Sequence, residues 1–179
     1  MAPDAELIAR VLAGDDRRAF AELVRRHERP VRGLLRRLCA GDAALADDLA
    51  QETFLRAYRG LSGYRGTARF STWLYRVAYT AFLSHARASR TQELPEVDHT
   101  TSGSRALLRH DLERALGALA PVERMVLVLA YGADVTHEEI ATILGLPLGT
   151  VKTHILRSKE RLRRALGAWD PGSRVEGSP

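Results

Sequence analysis

Between Thr136 and Leu166 the chain sets hydrogen-bonding and cationic side chains against an apolar stripe. That pattern suits contact with base edges and phosphates rather than bond-making. Thr136 reads as a helix N-cap, and Glu139 three positions on completes a capping box. A helix over 137–144 follows, with Ile140, Ala141 and Leu144 on one face. Gly145 supplies a sharp turn, and Pro147 opens the next helix. There Val151, Ile155 and Leu162 take inward spacing, which leaves Thr150, Lys152, Thr153, His154, Arg157 and Ser158 pointing outward. Lys159, Arg161, Arg163 and Arg164 extend the cationic run, with Glu160 alone opposing. A capped helix, a glycine turn and a basic second helix, in that order, describe a helix-turn-helix whose second helix enters the major groove and whose later cations reach phosphates. A charge run is usually just a solvated face, but the cap and turn in this order outweigh that reading. His154 alone is more often an idle exposed histidine than a base reader.

A second group lies upstream. Tyr64, Arg65 and Arg69 precede and open a helix over 67–89. On it Phe70, Trp73, Leu74, Val77 and Ala81 take core spacing, and Arg76, Tyr79, Thr80, Leu83 and Arg87 fall on the other side. Aromatics interleaved with arginines suit single-stranded DNA, where each stacked base contributes about 1–3 kcal/mol. Half-buried structural tyrosines explain the same residues equally well, and the residues alone leave both readings open. The helix over 43–58 carries an apolar stripe of Leu45, Ala46, Leu49, Ala50, Thr53 and Ala57. Asp48, Gln51, Glu52 and Leu55 form a separate face, suited to docking on a protein or simply to solvation, the commoner meaning of such charges. A metal site through Asp47, Asp48 and Glu52 has little support, because His27, His85, His99, His110, His137 and His154 are scattered without ligand spacing. No nucleophile elbow or phosphate-binding glycine loop is present, so no enzyme, metal or cofactor is expected.

The elements that must position these groups are helical. The chain has 179 residues, 45% of them hydrophobic and only 6% aromatic, so leucine, valine, alanine and isoleucine must build its cores. Lys and Arg number 27 against 22 Asp and Glu, a net charge of +5, which points to an anionic partner. Cys39 is the sole cysteine and reads as a small buried thiol. No apolar run approaches the roughly 20 residues of a membrane span, and no signal peptide is visible; the chain reads as cytoplasmic, without membrane insertion. Strand signals are weak throughout. Helical periodicity covers 4–13, 17–39 (one helix or two, with Pro30 at a start or kink), 43–58 and 67–89. The polar stretch SRTQELPEVDHTTSGS interrupts it, and helices resume to about residue 168 with breaks at Ala120-Pro121, at 132–135 and at 145–147. The fold class is therefore all-α: two small helical domains, 1–90 and 105–168, joined by a flexible linker over 91–104, with a disordered tail over 169–179. The helix beginning at Pro121 is expected to pack behind the helix-turn-helix, which is too small to bury its own core.

Taken together these segments resemble a known family. DDLAQETFLRAYRGLSGYRG followed by FSTWLYRVA is similar to region two of bacterial sigma factors, and LAPVERMVLVLAYGADVTHEEIATILGLPLGTVKTHILRSKERLRRAL is similar to region four. Nothing resembles the extra regions of housekeeping sigma factors, a pattern similar to the extracytoplasmic-function (ECF, group 4) members of the sigma-70 family. The resemblance implies that Asp48, Gln51, Glu52 and Leu55 bind the β′ clamp helices of core RNA polymerase. It implies that Tyr64, Arg65, Arg69, Arg76, Tyr79, Thr80, Leu83 and Arg87 capture the non-template strand of the minus-ten element. It implies that Thr150, Lys152, Thr153, His154, Arg157, Ser158 and Arg161 serve the minus-thirty-five element. A contact of the second domain with the β flap and an anti-sigma partner follow from the family in the same way. The family often has Arg-Asn and then Asp-His where this chain has Tyr79-Thr80 and Ser84-His85, which implies a different minus-ten preference. The alternative is a LuxR-type regulator, whose recognition helix Val151-Lys152-Thr153-His154 resembles; its α/β receiver domain has no counterpart in residues 1–90.

Overall fold

The computed structural model describes residues 2–91 and 104–167. Among them there are eight α-helices and no strand: α1 (Asp4–Gly14), α2 (Arg17–Leu38), α3 (Ala43–Gly60), α4 (Phe70–Thr91), α5 (Ser104–Gly117), α6 (Pro121–Gly132), α7 (His137–Leu144) and α8 (Leu148–Gly167). A single 3₁₀ turn, Leu61–Gly63, follows α3. The expected linker, apart from its two ends, and the expected tail lie outside the described residues.

Short polar side chains fix where the helices begin. Asp16 accepts from the backbone N–H groups of Arg18 and Ala19, both at 3.0 Å, and starts α2. Those bonds and the guanidinium of Arg10 at 2.7 Å hold its carboxyl below the ordinary range. Asp42 starts α3 by accepting from Leu45 at 2.9 Å. Pro30 starts no second helix; α2 runs through it as one element. Leu23 before it and Val31, Leu34, Leu35 and Leu38 after it are buried in the same core, while Pro30 itself faces solvent. Packing on both sides offsets the missing hydrogen bond.

The first four helices pack mainly on α2, which contacts α1, α3 and α4. Ala46, Ala50 and Ala57 present small side chains from α3, and α4 contributes Phe70, Leu74, Ala78, Ala81 and Phe82. Each large side chain so buried contributes about 1.5–3 kcal/mol. In the second half α6 lies behind the helix-turn-helix, packing on both α7 and α8. Leu116, Leu119 and Leu127 form a satellite cluster covered by Leu162.

The two halves also pack on each other, which the periodicity does not reveal. α2 meets α5 and α6, α4 meets α6 and α7, and one apolar cluster runs from Leu7 through Leu74 to Ile140 and Val151. Arg124 bolts this seam. Its guanidinium donates to the carbonyls of Leu38, Gly117 and Leu119 at the ends of α2 and α5, and lies 5.8 Å from the Phe82 ring centroid. Cys39 is buried beside it, and burial pushes its thiol up to about 12.

Candidate nucleic-acid faces and docking groove

α2 and α3 enclose a groove of about 710 Å³ lined by Arg17, Phe20, Val24, Phe54, Leu55 and Tyr58 among others. On α3 the apolar stripe from Ala46 to Ala57 faces inward as its spacing requires, which turns Asp48, Gln51 and Leu55 outward. Leu55 is 52% exposed at the rim of the groove. Glu52 reaches along its own helix to Arg56 at 2.7 Å. Phe20, Val24 and Phe54 also belong to this surface, and of the three only Phe54 lies within the segments that carry the family resemblance. Their signal is spacing: residues 17, 20, 24 and 28 share one face of α2, and 51, 54, 55 and 58 one face of α3.

The second face centres on the loop before α4. Tyr64 is half-buried, donates to the Ala68 carbonyl at 2.6 Å, and packs against Phe70 and Trp73 with ring centroids 5.5 and 5.6 Å away. These contacts tie the ring to the loop and to α4, and burial raises its phenol above the usual range. Arg65, Arg76, Thr80 and Arg87 are exposed, and Leu83 is half-buried. Tyr79 is not available for stacking: only 8% exposed, it faces the core. The reason is periodicity, because Tyr75, Ala78, Tyr79 and Phe82 share the inward face of α4 at spacings of three and four. Tyr64, Arg65, Thr72, Trp73 and Arg76 line a pocket of about 350 Å³, and Thr142 and Ile143 of α7 close its far wall. Trp73, expected in the core, packs against it on Phe70 and also lines this pocket.

The third face is α8. α7 begins as its sequence indicates: Thr136 Oγ1 accepts from the Glu139 N–H at 3.2 Å, and Glu139 accepts from the Thr136 N–H at 2.8 Å. Gly145 ends α7 at φ +66, a left-handed conformation that favours glycine. Lys152, Thr153 and Arg157 then point outward, Thr150 and His154 are partly covered, and Leu156 stands 67% exposed among them. Arg157 makes no ion pair among the described residues, and Lys152 lies near enough to Glu138 to help lower its carboxyl. Ser158 does not join this face. It is fully buried, because 151, 155, 158 and 162 form one inward stripe, and its hydroxyl has no hydrogen-bond partner there. Arg161 remains at the surface, but its Nη1 is held by both carboxylate oxygens of Glu123 at 3.0 and 2.8 Å. No group of three or more potential metal ligands occurs among the described residues, and none of the described helices is long and apolar enough to cross a membrane.

The described residues thus combine an apolar groove on one helical bundle with a helix-turn-helix in the other. Residues 23–92 match the family described as Sigma-70 region 2, and residues 109–162 match Sigma-70, region 4. The RNA polymerase sigma-H factor of Pseudomonas aeruginosa is 36% identical, across 91% of this chain and 93% of that one. The ECF RNA polymerase sigma factor SigM of Mycobacterium tuberculosis strain H37Rv is 35% identical, across 96% and 89%. The ECF RNA polymerase sigma-E factor of Escherichia coli K12 is 32% identical, across 89% and 92%. The solved structure of CnrH in complex with the cytosolic domain of CnrY superposes with a TM-score of 0.73 at 26% identity, covering 93% of this chain and 99% of CnrH. The chain belongs to the sigma-70 family, in its extracytoplasmic-function group. The regulator alternative loses its basis, since the amino-terminal half matches region 2 and its described residues contain no strand.

Proposed function

We propose that this alternative sigma factor works as a binding device in the cytoplasm, without chemical catalysis, and that its described surfaces divide the work. The α2–α3 groove, with Asp48, Gln51, Glu52 and Leu55 at its border, docks on the β′ clamp helices of core RNA polymerase. Arg65, Arg69, Arg76, Thr80 and Arg87, with the pocket beside Trp73, take the non-template strand of the minus-ten element. Stacking and phosphate contacts there lower the cost of keeping the duplex open. Tyr64 and Tyr79 support this face from behind, and Leu83 lies at its edge. Lys152, Thr153 and Arg157, flanked by Thr150 and His154, meet the minus-thirty-five element and its phosphates. The same half reaches the β flap. An anti-sigma partner completes the proposal; its support is a fold shared with the sigma factor RpoE, solved with the anti-sigma factor NepR from Bartonella quintana at TM-score 0.71 and 22% identity.

The observation that carries this reading is the apolar groove with half-exposed Leu55 at its rim and Arg17, Glu28, Arg32 and Gln51 in its walls. An unfilled apolar surface of this kind, edged by charge, marks a protein interface. Exchanging Asp48 and Glu52 together for lysine is expected to abolish capture of core polymerase while leaving the helical circular dichroism spectrum unchanged. Retained affinity in that double variant, with the fold intact, refutes the docking assignment.

A further inference from the structure

One face of α2 carries a row of arginines. Arg25, Arg29, Arg32 and Arg36 recur at spacings of four, three and four, and Arg37 stands beside the last. Residues so spaced are neighbours on a helix surface, where like charges repel each other. The row, about 16 Å long at the rise of an α-helix, lines a cleft of about 720 Å³. Tyr75 of α4 and Gly132 and Ala133 at the end of α6 form its other walls. Glu28 and Arg32 also wall the docking groove, so the cleft opens beside that groove. Its lining shares no described residue with α8 or with the pocket beside Trp73.

Carboxylates answer only part of this charge. Arg25 pairs with Glu22 at 2.5 Å and Arg32 with Glu28 at 3.3 Å, and Asp47 lies 3.7 and 3.8 Å from Arg32 and Arg36. Arg29 and Arg37 are exposed and make no ion pair among the described residues. Arg69, by contrast, already has its fork filled, with Nε and Nη2 donating to the two carboxylate oxygens of Glu139 at 2.8 and 2.7 Å. Arg37 donates only to the Gly33 carbonyl of its own helix, at 3.2 Å. Its guanidinium lies against two glycines: a Cβ on Gly33 would stand 3.7 Å from it, and one on Gly132 3.3 Å. Gly132 thus leaves room for a cation at the cleft wall.

Shape and charge density select the ligand. A volume of this size falls among small-molecule sites, which span roughly 300–1,000 Å³. Guanidinium forks grip phosphate oxygens two at a time. A chain of phosphates packs several charges into a few ångströms, whereas an acidic peptide spreads one charge per residue along its backbone. We propose that this cleft binds a compact phosphate chain, either inorganic polyphosphate or the triphosphate of a nucleotide, gripped by Arg29 and Arg37 with Arg25, Arg32 and Arg36 around them.

The test is isothermal titration calorimetry of the full chain with sodium tripolyphosphate, at a constant ionic strength of about 0.15 M so that exposed charges are screened alike. Saturable binding at one site per chain is expected. Arg29→Gln combined with Arg37→Gln is expected to weaken it by about tenfold or more, the loss of one or two charge-assisted contacts. Gly132→Ala keeps every charge but crowds the Arg37 guanidinium, and a severalfold loss is expected there too. Arg18→Gln combined with Arg59→Gln removes two exposed charges away from the cleft and is expected to change nothing. Adenosine triphosphate binding more tightly than tripolyphosphate assigns the site to a nucleotide, and weaker binding assigns it to the inorganic chain. The proposal is overturned by the absence of saturable binding, or by binding undiminished in either cleft variant. An equal loss in the Arg18 and Arg59 variant overturns it as well, and so does a polyglutamate peptide of matched charge that binds as tightly as tripolyphosphate.

Discussion

Ser158→Ala separates two accounts of α8. Ser158 is fully buried and its hydroxyl has no partner, so the native side chain carries an uncompensated desolvation cost. Protein substitutions place that cost at about 1–3 kcal/mol. Alanine removes it and leaves a void of roughly one oxygen atom, which at ~24 cal/mol per Å³ returns only a few tenths of a kcal/mol. The variant is expected to be more stable by about 1 kcal/mol, a rise in melting temperature of about 2–4 °C for a chain of this length. Its binding to minus-thirty-five DNA, measured by anisotropy with the assembled polymerase, is expected to be unchanged. If Ser158 instead touched DNA, as the outward reading of the sequence holds, the variant would lose about fivefold or more in affinity with no gain in stability. That result would refute the inward placement of the 151–155–158–162 stripe.

Two further outcomes follow from local geometry. The bond from Arg69 holds the Glu139 carboxyl down at about 2 against an ordinary 4.5, so its contribution to stability is present above pH 4.5 and is lost as the pH falls toward 2. Urea unfolding across that window should show a steeper loss in the parent than in Glu139→Gln; equal slopes would contradict the assigned bond. Gly145→Ala places a Cβ in a left-handed conformation where nothing lies within 4 Å, so backbone strain alone remains. A loss of about 1–2 kcal/mol is expected by thermal unfolding, and no loss would mean that the turn relaxes freely.

Features governed by neighbours in sequence are legible in the sequence. The Thr136–Glu139 capping box, the Gly145 turn and the helix opened by Pro121 need only a few adjacent residues, and each is found where its chemistry puts it. The inward stripe of α3 follows equally from period. Ser158 and Tyr79 mislead because residue type suggests polarity or stacking, while their positions at i+7 from Val151 and i+4 from Tyr75 place them inside. At Pro30 the sequence leaves one helix or two open, and the residues packed on either side of it decide for one. The groove residues Phe20, Val24 and Phe54 look like ordinary core until the tertiary pairing of α2 with α3 shows them lining open space. The seam is least legible of all. Arg69 and Glu139 are 70 residues apart, and nothing in either local pattern names the other.

Run-off transcription tests the central claim most directly. Purified bacterial core polymerase is assayed with and without this chain on DNA from upstream of its own gene. The account predicts a discrete transcript that requires the chain and disappears when Asp48 and Glu52 are exchanged for lysine. No transcript, together with no binding of the chain to core polymerase, would contradict it.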